Sequence, residues 1–352
     1  MFDSSAPYFI SEKDTKLTLT WPDAIACLAS AYGLYENPRA APPRVVAQNG
    51  PTWLRSLAAI SPSGRYMGVK MIAKARLPQV SYLIPLWDQE TAHLACLMDG
   101  EHITAVRTAA TSALAVDHLA PSQQDIRVAV LGSGSEATAH VQAVATIRKV
   151  KSLTVFSPTP KNREDFARKC SEELKIECHS ADSAQAAVSQ ANLVIAAARS
   201  YDETPILEGA WLSPGMTVVS IGSTVPEQRE VDPEVIRRAD LIVADVPDEV
   251  MHETGDFLEA RAAGVGFKDK VISLADLLQK KRPGRRRADD ILLFKSVGSA
   301  LQDIAVAEMC FEKARQSGLG VPLPMALSIK TGKQKPTTHS PVTGREQNKE
   351  GV

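Results

Sequence analysis

From residue 126 onward the chain repeats one pattern, a short apolar, β-branched run followed by a stretch of helical periodicity. The runs 126–131, 153–156, 193–197, 217–221 and 241–244 read as strands, and 163–173, 183–189 and 233–238 as helices. Apolar runs without polar alternation belong to strands covered on both faces, and strands alternating with helices make a doubly wound parallel α/β sheet. Asp182-Ser183 and Asp232-Pro233 mark two helix starts. Asp232 can cap the first free N–H groups, and Pro233 fits a first helical position because it has no N–H to leave unpaired.

Residues 1–120 are patterned differently. Strand-like runs at 66–72, 82–87 and 92–98 are separated by Pro- and Gly-containing turns, and a helix follows over 106–119. This predicts a second, β-rich α+β domain ahead of the parallel sheet. A helix over 290–315 with a continuous apolar face is expected to pack back on it. From Lys330 the composition is almost free of large apolar residues, which predicts a disordered tail over 326–352.

The run 126–131 breaks into Gly132-Ser133-Gly134-Ser135-Glu136-Ala137 before the next helix. Gly132 permits the sharp turn, Gly134 lets the backbone approach a pyrophosphate, and Ala137 is small enough for close helix–strand packing. Strand, glycine turn and helix together form the dinucleotide fingerprint of a Rossmann-type domain, with phosphates held on free N–H groups at the helix start. After the second strand, where NAD-preferring sites place a carboxylate for the ribose 2′-hydroxyl, this chain has Ser157-Pro158-Thr159-Pro160-Lys161-Asn162-Arg163. Ser157, Thr159, Lys161 and Arg163 favour a 2′-phosphate, so NADP(H) is the expected cofactor, with NAD(H) possible.

A formal net charge of −1 over 352 residues argues against a nucleic-acid partner, and the Arg285–Arg287 cluster is followed at once by Asp289 and Asp290. No apolar stretch reaches membrane-spanning length and the start lacks a signal pattern, so a cytoplasmic location is expected. Cys27, Cys96, Cys170, Cys178 and Cys310 are scattered as reduced thiols would be, and without clustered histidines no metal is expected.

Three cations precede the glycine turn. Arg44 follows Pro42-Pro43, Lys70 lies inside the apolar strand 66–72, and Arg107 sits among small residues near a helix start. A charge within an apolar strand is costly unless paired, and the three together point to a clamp for a substrate carboxylate.

Gly68-Val69-Lys70, the block Met98-Asp99-Gly100 through Arg107-Thr108-Ala109-Ala110, Leu131-Gly132-Ser133-Gly134, Pro205-Ile206-Leu207, Pro214-Gly215, Glu230-Val231-Asp232 and Phe294-Lys295-Ser296-Val297-Gly298 closely resemble the ornithine cyclodeaminase/mu-crystallin family, in the family's order, from about residue 40 to 318. The resemblance implies a homodimer. Its substrate-binding and dimerisation domain would comprise 1–120 plus 295–325, and its NAD(P)-binding Rossmann domain 121–294. It also implies that Arg44, Lys70 and Arg107 hold the substrate carboxylate, that Lys70 lies near the reacting carbon, and that Ser296 lies near the cofactor. The family's cyclodeaminases carry Asp where this chain has Thr224. A hydroxyl cannot take a proton at neutral pH as a carboxylate can, which favours the reductase branch.

The expected activity is therefore NAD(P)H-dependent reduction of a C=N bond beside a carboxylate, giving an L-amino acid, with Arg44, Lys70, Arg107 and Thr224 as the catalytic positions. The substrate would be a small 2-imino acid or cyclic ketimine. If Arg55 points into the pocket it could hold a second carboxylate, as on iminosuccinate; if it faces solvent, pyrroline- or piperideine-2-carboxylate is favoured. An ornithine-type cyclodeaminase and a non-catalytic crystallin-like binding protein are the alternatives.

Overall fold

The computed structural model describes residues 6–121, 125–200, 202–325 and 327–330, so the tail expected over 326–352 falls almost wholly outside the described residues. Two sheets organise the chain. The first has seven strands, in the order Val321–Pro322, Tyr8–Ile10, Leu94–Asp99, Val80–Asp88, Tyr66–Lys74, Thr52–Ile60, Val45–Asn49, and is mostly antiparallel. The second has eight strands, all parallel: Val271–Ser273, Leu241–Ala244, Leu292–Lys295, Thr217–Ser220, Leu193–Ala196, Ile126–Leu131, Val150–Phe156, Glu177–Ser180.

The parallel sheet is the predicted doubly wound fold. Its strands 193–196 and 217–220 are buried at every position, which is why they read as unbroken apolar runs. Helix Pro233–Arg238 begins as its sequence requires, with the Asp232 side chain accepting from the Val235 N–H at 2.9 Å. The chain leaves Ile126–Leu131 toward one edge and returns to its other side as Leu193–Ala196, so the crevice beyond these two strand ends is the topological switch point where α/β sheets bind ligands.

Two of the elements read from the sequence differ in the structure, and others, among them strands Val45–Asn49 and Thr52–Ile60 and helix Trp21–Gly33, have no counterpart in that reading. The segment read as one helix over 290–315 divides: Leu292–Lys295 is a central strand of the parallel sheet, and only Ala300–Gln316 is helix. A four-residue apolar run has no periodicity of its own, so it merged with the helix that follows. The helix read over 106–119 begins earlier, as Glu101–Leu119, because Gly100 serves as its N-cap. Helix Ala300–Gln316 returns against the inner face of the seven-stranded sheet and against Trp21–Gly33. It is buried on nearly every side, including Gln302, Asp303 and Glu308. No helix among the described residues is long and apolar enough to cross a membrane.

Candidate active site

The glycine turn lies at the switch point. Gly132 has φ +120°, and a Cβ there would meet the Ala197 carbonyl oxygen at 2.9 Å, so only glycine fits between the two strand ends. A Cβ at Gly134 would meet nothing within 4 Å, which leaves the backbone open to a ligand. Gly134 caps helix Ser135–Ile147 without any side-chain bond to the first N–H groups. These are the features a pyrophosphate requires, and a dinucleotide fits here. Ser133 donates to Ser157 at 3.0 Å, joining the turn to the end of the second strand.

Beyond that strand, Thr159 is the N-cap of helix Pro160–Leu174, again without a side-chain cap bond. Arg163 is held close to the strand end, its guanidinium donating to the Ser157 carbonyl at 3.2 Å and to Asp182 at 3.1 Å. Lys161 is 81% exposed and paired with Asp165 at 2.5 Å. The two cations that the sequence treats alike therefore differ: Arg163 is fixed at the strand end and Lys161 is a surface residue. Glu136, in the first turn of the dinucleotide helix, has a buried Oε2 without a hydrogen-bond partner. Burial raises its carboxyl above the ordinary value.

The expected clamp lies where the two sheets meet. Strand alternation turns Lys70 to the inner face, 1% exposed, with Val69 and Met71 on the other side. Its Nζ lies 2.7 Å from Asp303 Oδ1, and the same oxygen lies 2.9 Å from Arg107 Nε. Burial, and secondarily the Arg107 charge, lower the Lys70 pKa to about 8. Arg107 Nη1 donates to Gln302 Oε1 at 2.9 Å. The Gln302 amide in turn donates to Tyr32 Oη at 2.8 Å and to Asp245 Oδ2 at 3.1 Å. Asp245 also receives Ser296 Oγ at 2.6 Å and the N–H groups of Val297 and Gly298. A continuous polar network thus runs from Lys70 to the end of the central strand Leu292–Lys295. Gly298, φ +81°, leaves the space the Arg107 guanidinium occupies, since a Cβ would lie 2.7 Å from Nη1.

Arg44 is committed differently from its two companions. It pairs with Glu249 at 3.0 Å and donates to the Thr224 carbonyl at 3.0 Å, which ties the first sheet to the loops of the second. Thr224 turns both its hydroxyl and its N–H to Gln228 Oε1, at 3.2 and 3.0 Å. Arg55 lies on the inner face with Leu57 and Ala59 and is half-buried.

Several partners escaped the sequence reading. Asp303, Gln302, Asp245 and Glu249 carry no local motif, and each finds its cation or amide far along the chain. A second buried cluster was also missed. Lys295 lies 2.7 Å from Asp256 and donates to Ser220 at 2.8 Å, while Glu230 accepts from Ser220, Gly222 and Ala198. It fixes the loops that follow strands 193–196 and 217–220. The one signal available was Lys295, an uncompensated charge in an apolar strand.

A dinucleotide cradle at the switch point, with a buried cationic group beside it, defines an NAD(P)-dependent oxidoreductase. More specifically, the chain belongs to the ornithine cyclodeaminase/mu-crystallin family, whose model matches residues 31–318. It is 30% identical to ketimine reductase mu-crystallin of Mus musculus over 236 residues, 67% of this chain and 70% of that protein. The Thermococcus litoralis Δ1-pyrroline-2-carboxylate reductase, solved with NADH and L-proline, superposes with a TM-score of 0.83 at 27% identity, covering 90% of this chain and all of that one. A probable ornithine cyclodeaminase from Bordetella pertussis gives 0.80 at 28% identity, with the same 90% and 100% coverage.

Proposed function

We propose that the protein reduces a C=N bond adjacent to a carboxylate, using NADPH in preference to NADH, and releases an L-amino acid. The observation that carries this reading is the Lys70–Asp303–Arg107 group, continuous through Gln302 and Asp245 with the strand end beside the dinucleotide cradle. Lys70, Arg107 and Arg44 bind and orient the carboxylate, and charge-assisted bonds fix its plane. The bound nicotinamide supplies hydride. Lys70, with its lowered pKa, exchanges a proton at Nζ with the substrate nitrogen, directly or through water. Residues 121–294 act as the nucleotide domain; 1–120 plus 295–325 bind substrate and dimerise.

NADPH preference is supported by Arg163, pinned beside Ser157 at the strand end and shared only with the fully exposed Asp182, and by the absence of any carboxylate within 157–163 itself. A homodimer is supported by the outer face of the first sheet, where Leu54 and Ile60 are 48% and 50% exposed and Val69 lies opposite Ala58. A cytoplasmic location is supported by five free cysteines. The cyclodeaminase alternative is disfavoured by Thr224, whose hydroxyl is spent on Gln228.

The test is cofactor oxidation by the purified protein with preformed cyclic ketimines and with 2-oxo acids plus ammonium. Imine-dependent oxidation supports the reading. Proline and ammonia from ornithine without net cofactor use would replace it with cyclodeaminase activity, and ligand binding without turnover would make the protein a binding protein.

A further inference from the structure

We infer that the substrate carries a second carboxylate, which Arg55 receives, so that its class is a 2-imino derivative of a short dicarboxylic acid. This deepens the imine-reductase reading and rests on it. Along Thr52–Ile60 the alternate residues Trp53, Arg55, Leu57 and Ala59 share the inner face. In the register with the next strand Leu57 faces Lys70 and Arg55 faces Ile72. Arg55 therefore stands one same-face step from the Lys70 level, about 7 Å along the strand. A four- or five-carbon diacid with one carboxylate at Lys70 and Arg107 brings its other end within reach of a flexible arginine.

The charge balance of this region singles out Arg55. Asp303 answers Lys70 and Arg107, and Glu249 answers Arg44. The Arg55 side chain makes no ion pair or hydrogen bond with any described residue, and its Nε is buried without a partner. Its contact is the Trp53 ring, 5.0 Å from the guanidinium carbon. An aromatic floor holds the guanidinium plane and leaves its donor edge for a bidentate carboxylate. Burial first, and the neighbouring Arg44 charge second, work against the charged form, while Glu249 and Glu253 favour it from beyond ion-pair distance. A half-buried cation left in this state is stabilised by an anion from outside the chain. The dinucleotide phosphates are accounted for at the glycine turn on the other sheet, so the anion belongs to the substrate.

The experiment compares the unchanged protein with Arg55→Met, which keeps apolar length, and with Arg55→Lys, which keeps charge. NADPH oxidation is followed with ammonium plus oxaloacetate or 2-oxoglutarate, with ammonium plus pyruvate, and with pyrroline-2-carboxylate. Calorimetry without cofactor turnover compares L-aspartate with L-alanine. The expected result is at least a tenfold preference in kcat/KM for a dicarboxylic imine and tighter binding of L-aspartate, both collapsing in Arg55→Met and partly kept in Arg55→Lys. Equal or better use of the monocarboxylic imines, or a preference that survives Arg55→Met, overturns the inference and leaves the imine-reductase reading standing. If no imine is reduced, that reading fails, and calorimetry still decides whether Arg55 selects a second carboxylate. Should Arg55→Met not fold, the same comparison is made between the unchanged protein and Arg55→Lys.

Discussion

Arg44 and Glu249 close a 3.0 Å ion pair between the two sheets, with side chains only 4% and 5% exposed. Arg44 also donates to the carbonyls of Thr224 and Val297. An arginine that the sequence offers as one of three equal carboxylate ligands is therefore also a fastener between the lobes. Removing one partner strands a buried charge. Arg44→Met alone is expected to cost about 3–5 kcal/mol of stability, and the Arg44→Met/Glu249→Gln pair clearly less than the two single variants summed. Urea denaturation of the four proteins of the cycle gives the coupling, expected above about 1 kcal/mol.

Arg107 should show the opposite balance, acting mainly on turnover. Arg107→Ala is expected to remove about 2–4 kcal/mol of transition-state stabilisation, roughly a 30- to 1000-fold loss in kcat/KM. The cofactor Kd should stay within about twofold, because Arg107 reaches Asp303 and Gln302 and not the glycine turn. Steady-state kinetics together with fluorescence titration of NADPH check both halves. Near-normal kcat/KM in a folded variant would return Arg107 to a purely structural ion pair.

For the 2′-phosphate, the unequal placement of the two cations makes unequal variants. Arg163→Ala should weaken NADPH binding several-fold more than NADH binding, whereas Lys161→Ala should change the ratio little, its ammonium being exposed and already paired. Titration of both cofactors against both variants decides this.

The lowered pKa of Lys70 gives affinity and stability opposite pH slopes. A carboxylate is held by the protonated ammonium, so binding of L-proline as a product analogue should weaken as pH rises through about 8. Between about 8 and the ordinary lysine value the unfolded chain binds the proton that the folded chain has lost. The contribution of Lys70 to stability therefore rises with pH across that window. Lys70→Met should flatten both dependences, read by calorimetry and by urea melts from pH 7 to 10.

His140 tests the same linkage at acid pH. It is fully buried, receives Ser112 Oγ at Nε2, and has its pKa lowered to about 4 by burial. Between the ordinary histidine value and about 4 the unfolded chain gains a proton that the folded one refuses. Acidification across that window should cost about 3 kcal/mol at this residue alone. His140→Gln should reduce the acid loss by a comparable amount in urea melts at pH 7 and 4.5.

The middle of the parallel sheet was legible because its strands are covered on both faces, and two of its helices because Ser183 and Asp232 cap their starts. The glycine turn was legible because the backbone at Gly132 demands a residue without a Cβ. The buried anions were not. Asp303 and Gln302 sit on a helix enclosed on nearly every side, so no polar face contrasts with an apolar one to mark them. Asp245 follows a strand end as any loop carboxylate might, and Glu249 sits in the first turn of helix Pro247–Glu253, where acidic residues are ordinary. The cation Lys70 announced itself by its cost in an apolar strand, but the residue that meets that cost is specified only by the folded chain.

Lys70 and Asp303 are 233 positions apart, and Arg107 and Gln302 are 195 apart. During synthesis six strands of the seven-stranded sheet emerge early, while the helix that covers its inner face, and the edge strand Val321–Pro322, follow the whole parallel sheet. At translation rates of about 5–20 residues per second, roughly ten to forty seconds separate the two. The lobe made first is thus completed last, with two cations and an apolar face waiting uncovered on the ribosome, and assembly of the carboxylate site becomes a late event in the birth of the chain.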